Sequence, residues 1–444
     1  MSVALIHTLN DDCLYKMLHL VVSEAPVLSK RSLQSRTSVL AVTHVCARWR
    51  NLALAAPWLW TCIRFARPIN QRLLPELLSR SSGLPLRLTY YGRAKLNYDN
   101  LYESWNVTDT KLVVDIVAAE AGRLYQVALY NIDGDEWYAF WVRLKETRMP
   151  RLQSLRISTP FGGFEHELDE PILGGDNPTL RELSVHRFYL SLPNCTGLTS
   201  LILKDVQVSP TRSLLKAVRH NPNIEELHLE LLCSPIPHPP EIPPPPSYFE
   251  PRAHLPSLRR LTIGGETYLM HIELLGALVF PASTNVKLLF DDCPSLSDSL
   301  RVDFGELCPS LQNIISTIET LSLTVHRSPW SCDVALRPMR SGLLEAKWDT
   351  AQPVTTVLKD APFGHLSFTS LHHLHLISIS FPLEEAQWFD ILVRVPTLTT
   401  LEIDVRSSML SSLLIVLQQT TSEGERVSPR LEKLVVLSRR LLIR

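Results

Sequence analysis

Apolar side chains recur along this chain in one short phrase: an apolar residue, two others, an apolar residue, one other, an apolar residue. It is spelled by Leu124-Val127-Leu129, Leu152-Leu155-Ile157, Leu180-Leu183-Val185, Leu198-Leu201-Leu203, Ile224-Leu227-Leu229 and Leu258-Leu261-Ile263. It resumes at Ile318-Leu321-Leu323, Leu371-Leu374-Leu376, Leu398-Leu401-Ile403 and Leu431-Leu434-Val436, with Val286-Leu288-Phe290 as a degenerate copy. Proline stands two residues ahead of many copies, as at Pro150, Pro178, Pro222, Pro256, Pro396 and Pro429. The phrase predicts a short strand whose alternate side chains enter a core, preceded by a turn whose first apolar residue also points inward. Between copies, residues 213–220, 269–280, 384–395 and 409–420 read as helices. Strand and helix alternate, so the units should stack with a parallel sheet on one side and helices on the other. Most spacings run from 18 to 34 residues, but 53 separate Ile318 from Leu371.

The first sixty-odd residues follow a different period. Asn10, Asp11 and Asp12 suit a helix start, because a short side-chain oxygen accepts an orphan backbone amide and carboxylates favour the positive end of the helix dipole. Leu14, Met17, Leu18 and Val21 then recur in steps of three and four, giving one apolar stripe. A second stripe runs through Val39, Val42, Cys46, Trp49 and Ala53, until Pro57 ends it ahead of a bulky Trp58-Leu59-Trp60 plug. Three short helices cannot cover this much apolar surface themselves, so a partner or the following domain must cover some of it. Leu74-Pro75-Glu76-Leu77-Leu78 reads as the first helix of that domain, leading through Ser81-Ser82-Gly83 into an alternating strand that begins after Pro85.

The order Leu9, Asp12, Leu14, Met17 and Leu20, followed by Val39, Val42, Val45, Cys46, Trp49 and Arg50, resembles an F-box. The closing run Val45-Cys-Ala-Arg-Trp-Arg-Asn-Leu-Ala-Leu-Ala-Ala-Pro-Trp-Leu-Trp60 is similar to the large F-box families of mushroom-forming fungi. Two features depart from the motif: Asn10 stands where a proline usually follows the first leucine, and the loop over residues 23–38 is long. The phrase array resembles an irregular leucine-rich-repeat domain, although the Asn or Cys that extends the usual consensus is mostly missing. The expected fold is therefore α/β: a helical F-box-like module over residues 1–66, then a leucine-rich-repeat-like strand-helix solenoid over residues 67–444. The resemblance implies that Leu9, Asp12, Leu14, Met17, Val45, Cys46, Trp49 and Arg50 dock a Skp-type adaptor of a cullin-RING ubiquitin ligase, with Trp49 as the core anchor. The repeat face would then bind an unknown target protein.

Composition narrows the alternatives. Lys plus Arg (44) nearly cancels Asp plus Glu (45), so the chain lacks the electrostatic footprint of a nucleic-acid binder. The eight cysteines are scattered, with no Cys-x-x-Cys pair to suggest a zinc knuckle or redox motif. No basic-then-apolar leader and no run of eighteen apolar residues is present, which gives the expectation of an intracellular protein, cytoplasmic or nuclear, without a membrane partner. No G-x-S-x-G, H-E-x-x-H, P-loop or dinucleotide fingerprint occurs, so neither an enzyme nor a cofactor is expected. His372, His373 and His375 form the densest histidine group; with no carboxylate or cysteine nearby in sequence, exposed strand residues are expected and not a metal site. Residues 234–251 carry nine prolines and should leave the array as a polyproline loop, with spacings such as Pro237 to Pro240 that aromatic grooves can read.

One position in each phrase lies between its last two apolar residues and should point away from the core: Arg156, Ser184, Ile202, His228, Thr262, Ser322, His375, Glu402 and Val435. The row is mixed in charge and moderate in size, which suits a protein surface; Arg156, His228, Thr262, His375 and Glu402 are its candidate target contacts. The other outcome is a repeat scaffold that binds a partner without any ligase association.

Overall fold

The computed structural model describes residues 9–23, 42–66, 73–92, 107–159, 179–187, 195–207, 211–232, 252–265, 274–291, 309–315, 318–325, 331–338, 344–349, 370–377, 384–403, 407–420, 424 and 426–437. The proline-rich residues 234–251 and the loop over residues 24–38 lie outside them. The chain is a mixed α/β protein built on many-stranded, largely parallel sheet, and it divides into two compact units, Met1–Leu198 and Thr199–Arg444.

The amino-terminal unit begins with helix α1 (Asp11–Ser23) and helix α2 (Ala47–Leu54), followed by a single 3-10 turn over Pro57–Trp60. Asn10 fills the role expected of it: its Oδ1 accepts the Cys13 amide at 2.8 Å, capping α1. The second apolar stripe forms a shorter helix than its period predicts, because Cys46 is extended at φ −159° and serves as the N-cap of α2. Val42 and Thr43 make a separate buried turn ahead of it.

Strand β1 (Cys62–Ala66) then opens a five-stranded parallel sheet with β2 (Leu86–Tyr91), β3 (Leu124–Tyr130), β4 (Ser154–Ser158) and β5 (Glu182–His186), in that order. The helical module expected to fill residues 1–66 thus ends before Cys62, and its last five residues belong to the sheet. Helices α3 (Leu73–Arg80), α4 (Val107–Ala119) and α5 (Gly134–Leu144) connect these strands. The phrase register carries directly into pairing: Val127 lies opposite Leu155 and Leu155 opposite Leu183, all at most 1% exposed. Tyr90 on β2 meets Phe140 of α5 with ring centroids 5.5 Å apart, so the inward face of the sheet packs on the helices.

A buried carboxylate ties this packing together. Glu136, 5% exposed, accepts the Tyr90 hydroxyl at 2.8 Å and the Thr110 hydroxyl at 3.3 Å. With Asp133 it also forms the capping box of α5. A Cβ on Gly92 would stand 2.5 Å from Glu136 Oε2 and 2.7 Å from the Asn131 carbonyl, so no other residue fits there without displacing backbone.

In the second unit β6 (Ser200–Gln207), β7 (Glu226–Leu232), β9 (Arg260–Gly265) and β11 (Asn285–Asp291) pair in parallel. Helix α6 (Thr211–Arg219) joins the first two, and β8 (Ala253–His254) pairs with β10 (Leu278–Val279) as a separate ribbon. The apolar run 269–280, expected as one helix, ends in β10; residues 274–277 are helical. Past helix α7 (Pro309–Ile315) comes β12 (Ile318–Val325), and the 53-residue interval after Ile318 holds β13 (Ser331–Pro338) and β14 (Leu344–Asp349). β12, β13 and β14 form an antiparallel meander, and β14 returns to pair in parallel with β11. The parallel order resumes from β12 through β15 (His373–Ile377), β16 (Thr400–Ile403) and β17 (Lys433–Val436), with α8 (Glu385–Val393) and α9 (Ser407–Leu417) as the connecting helices.

Candidate functional site

Two surfaces carry the residues singled out in the sequence. In the helical head, Leu18, Val42, Ala53, Ala56, Leu59 and Trp60 form a buried cluster, with Tyr15, Trp49, Trp58 and Leu77 packed half-buried around it. Trp60, 2% exposed, is the anchor, donating its indole N–H to the Ala53 carbonyl at 2.8 Å and receiving the Arg80 guanidinium 4.6 Å over its ring. Trp49, expected in that role, sits at the cluster's edge. Sequence pattern ranked it first because it lies on a helical stripe, whereas Trp60 reaches the core from a 3-10 turn that no helical period marks.

The eight expected adaptor residues separate by exposure. Leu14 is wholly buried and belongs to the core, so it is not available to a partner. Met17 (39% exposed), Val45 (58%) and, on the same element as Met17, Leu20 (52%) present large apolar groups to solvent. Asp12 and Arg50 are exposed, while Leu9, Cys46 and Trp49 are half-buried. Arg50 donates from Nε to the Thr43 carbonyl at 2.8 Å, holding the turn before α2. Arg48, which the sequence did not single out, clamps α1 to α2: it donates to Asp11 at 2.7 Å and to the Leu9 carbonyl at 2.6 Å. Its only sequence signal was a basic residue beside Trp49, which is too common to select.

The second surface is the sheet face opposite the apolar phrase positions. In the first unit, register sets Arg156 beside Ser184 and across from Ala128. Burial works against the Arg156 charge, but hydrogen bonds to Tyr130 and Glu182 outweigh it and hold its pKa above the usual arginine value. In the second unit Ile202, His228 and Thr262 stand in one row, and Ser322, His375, Glu402 and Val435 in another. His228 hydrogen-bonds Glu230, which keeps that carboxyl below its usual range; Arg260 does the same for Glu226 from 2.9 Å. His375 Nδ1 lies 3.1 Å from the Glu402 carboxylate, a neighbour brought by strand pairing and absent from the local sequence. His373 is exposed, and among the described residues no group of three or more His, Cys, Asp or Glu side chains is placed to hold a metal.

Fold and surfaces together define a mixed α/β chain with a helical head and an ordered polar sheet face. No protein-family model matches it, and no curated protein matches it at a significant level. Among the described residues no helix is long and apolar enough to cross a membrane.

Proposed function

We propose that this chain is the non-enzymatic substrate receptor of a cullin-RING ubiquitin ligase: an F-box head docks a Skp-type adaptor, and a leucine-rich-repeat-like solenoid face presents a target protein. The observation that carries this reading is the split within the head. Its inner side is closed by Leu18, Val42, Leu59 and Trp60, while Met17, Leu20 and Val45 stay outside at 39 to 58% exposure. Exposed apolar anchors on a rigid helical support are what a partner of matching apolar surface needs, and the affinity would come from their burial. In-register phrase strands joined by helices support the solenoid reading of the array.

The test is capture of a Skp-type adaptor and its cullin by the full chain, compared with Met17→Asp and Val45→Asp. Binding by the intact chain and a loss of at least tenfold in each variant is the expected result, since a charge on an apolar anchor must be desolvated. An intact chain that brings down neither adaptor nor cullin ends the ligase reading and leaves the scaffold, a second reading favoured by the burial of Leu14 and by Cys46 standing outside its helix.

A further inference from the structure

The apolar phrase is covered unequally along the second unit. In the phrases of β15 and β16 it is closed off, with Leu371, Leu374, Leu398, Leu401 and Ile403 wholly buried. In the phrase of β17 the same positions stand open: Leu431 and Leu434 are half-buried, and Val436 is 40% exposed with Leu437 beside it at 43%. Among the described strands β17 is the last of the sheet and bonds to β16 alone. The helix that leads into it is open too. Leu413 and Val416 of α9 are buried, but Leu414 and Ile415 are 44% and 45% exposed, and no charged side chain occurs over Ser407–Leu417.

Hydrogen bonding shows which groups face outward. The Lys433 and Leu437 amides donate toward β16, to the Thr399 and Ile403 carbonyls at 3.0 and 2.7 Å. Backbone groups alternate sides along a strand, so the N–H and C=O of Leu434 and of Val436 point to the free edge. Such an edge is a template for another strand. Of the devices that blunt edges, β17 has a single lysine, Lys433, and no proline.

Centred on Val435, the edge is complementary to itself. In antiparallel pairing about a two-fold axis, Leu434 exchanges both backbone bonds with Val436 of the second copy, and Val436 with Leu434 of the second copy. Those side chains meet on the core side, apolar against apolar. Lys433 falls opposite Leu437 of the second copy, so the two lysines stand at opposite ends of the contact. The same axis brings α9 toward its equivalent, and two uncharged helix surfaces meet without repulsion. An extended segment of another protein would satisfy the strand edge but leave Leu414 and Ile415 in water. A second copy supplies both a strand and a helix.

We propose that the β17 edge is a homodimer interface, with β17 pairing antiparallel to β17 of a second copy and α9 packing beside its equivalent. The inference uses no residue of the head and is independent of the adaptor reading.

The experiment is sedimentation velocity on the full-length protein from about 1 to 100 µM, a range suited to an interface of one short strand and one helix flank. The intact chain should pass from monomer to dimer across it. Val436→Pro removes an edge N–H and spares the bonds to β16; it should weaken the dimer about tenfold or more, because the two-fold uses that donor twice. Leu437 reads the register. Leu437→Lys sets like charges opposite Lys433 and Leu437→Glu sets unlike ones, so the lysine variant should dimerise about tenfold more weakly than the glutamate variant. Ile415→Glu should weaken the dimer severalfold through α9, and Val142→Glu, at an exposed position on α5, should change nothing. Circular dichroism checks the folding of each variant, and the two Leu437 variants carry the test if Val436→Pro does not fold. The proposal is overturned if the intact chain stays monomeric throughout, or if Val436→Pro and Leu437→Lys dimerise as the intact chain does. It is also overturned if dimer forms only once residues 438–444 are removed, which would make that segment the occupant. Adaptor capture is read separately: its loss with the dimer intact removes only the ligase assignment, and a monomer that still captures adaptor removes only this inference.

Discussion

At the scale of single residues, burial decides which of two neighbouring tryptophans holds the head together. Trp60 is 2% exposed, and its indole N–H is satisfied by the Ala53 carbonyl; Trp49 is only half-buried at the cluster's rim. Removing Trp60 leaves a cavity at the centre of the cluster, so Trp60→Ala should cost about 3 to 5 kcal/mol. Trp49→Ala gives up packing that solvent partly replaces, and about 1 kcal/mol is expected. Thermal or urea denaturation of the two variants checks this order, and equal losses would place Trp49 in the core after all. The same distinction separates Leu14, which is wholly buried, from Met17, which is exposed. Their period puts both on the apolar stripe, but a stripe does not say which of its members face the protein's own core and which face a partner.

At the scale of elements, the phrase was legible because it encodes both a strand and its register. Leu201, Leu227 and Leu261 fall opposite one another, as do Leu374 and Leu401, since each phrase starts from the same kind of turn. The outward row followed from that alternation, but its ion pairs did not, because Glu226 meets Arg260 and His375 meets Glu402 across strands that lie tens of residues apart. Those pairs have a pH signature. The Arg260 hydrogen bond on Glu226 and the His228 hydrogen bond on Glu230 both depress the carboxyl below its ordinary 4.5, against the opposing effect of burial. A depressed folded-state value means that the stabilisation is complete above pH 4.5 and is lost as pH falls through the folded-state value. Wild type should therefore melt above a Glu226→Gln, Glu230→Gln double variant at neutral pH, and the gap should close as the pH falls below 4.5 through the depressed folded-state values. A gap that persists unchanged in acid would show that the charges contribute nothing.

At the scale of the whole molecule, the alternating α/β plan was readable and its interruptions were not. In the meander, β13 and β14 do not repeat the phrase that β12 carries, so the long interval after Ile318 showed only as a missing copy. Helices α4 and α5 precede and follow the first clear copy and were passed over, because on α4 apolar residues run together at Leu112, Val113, Val114, Ile116 and Val117 instead of marking one face. Strand β1 went unread for a related reason: it is five residues long, too short for alternation to stand out beside Trp58 and Trp60. What the array implies for stability follows from its connectivity. Each sheet strand bonds only to its immediate neighbours, and contacts gather within the units Met1–Leu198 and Thr199–Arg444. Local damage should then stay local. Glu136→Ala strips the buried Tyr90 and Thr110 hydroxyls of their acceptor and should destabilise the first unit by about 2 to 3 kcal/mol. Leu374→Ala, at a wholly buried phrase position, should cost the second unit about 2 to 5 kcal/mol. In a urea titration followed by tryptophan fluorescence and far-UV circular dichroism, two transitions are expected, with Glu136→Ala moving one midpoint and Leu374→Ala moving the other. A single transition shifted by both variants would make the chain one cooperative body, and the independence of the two units would have to be given up.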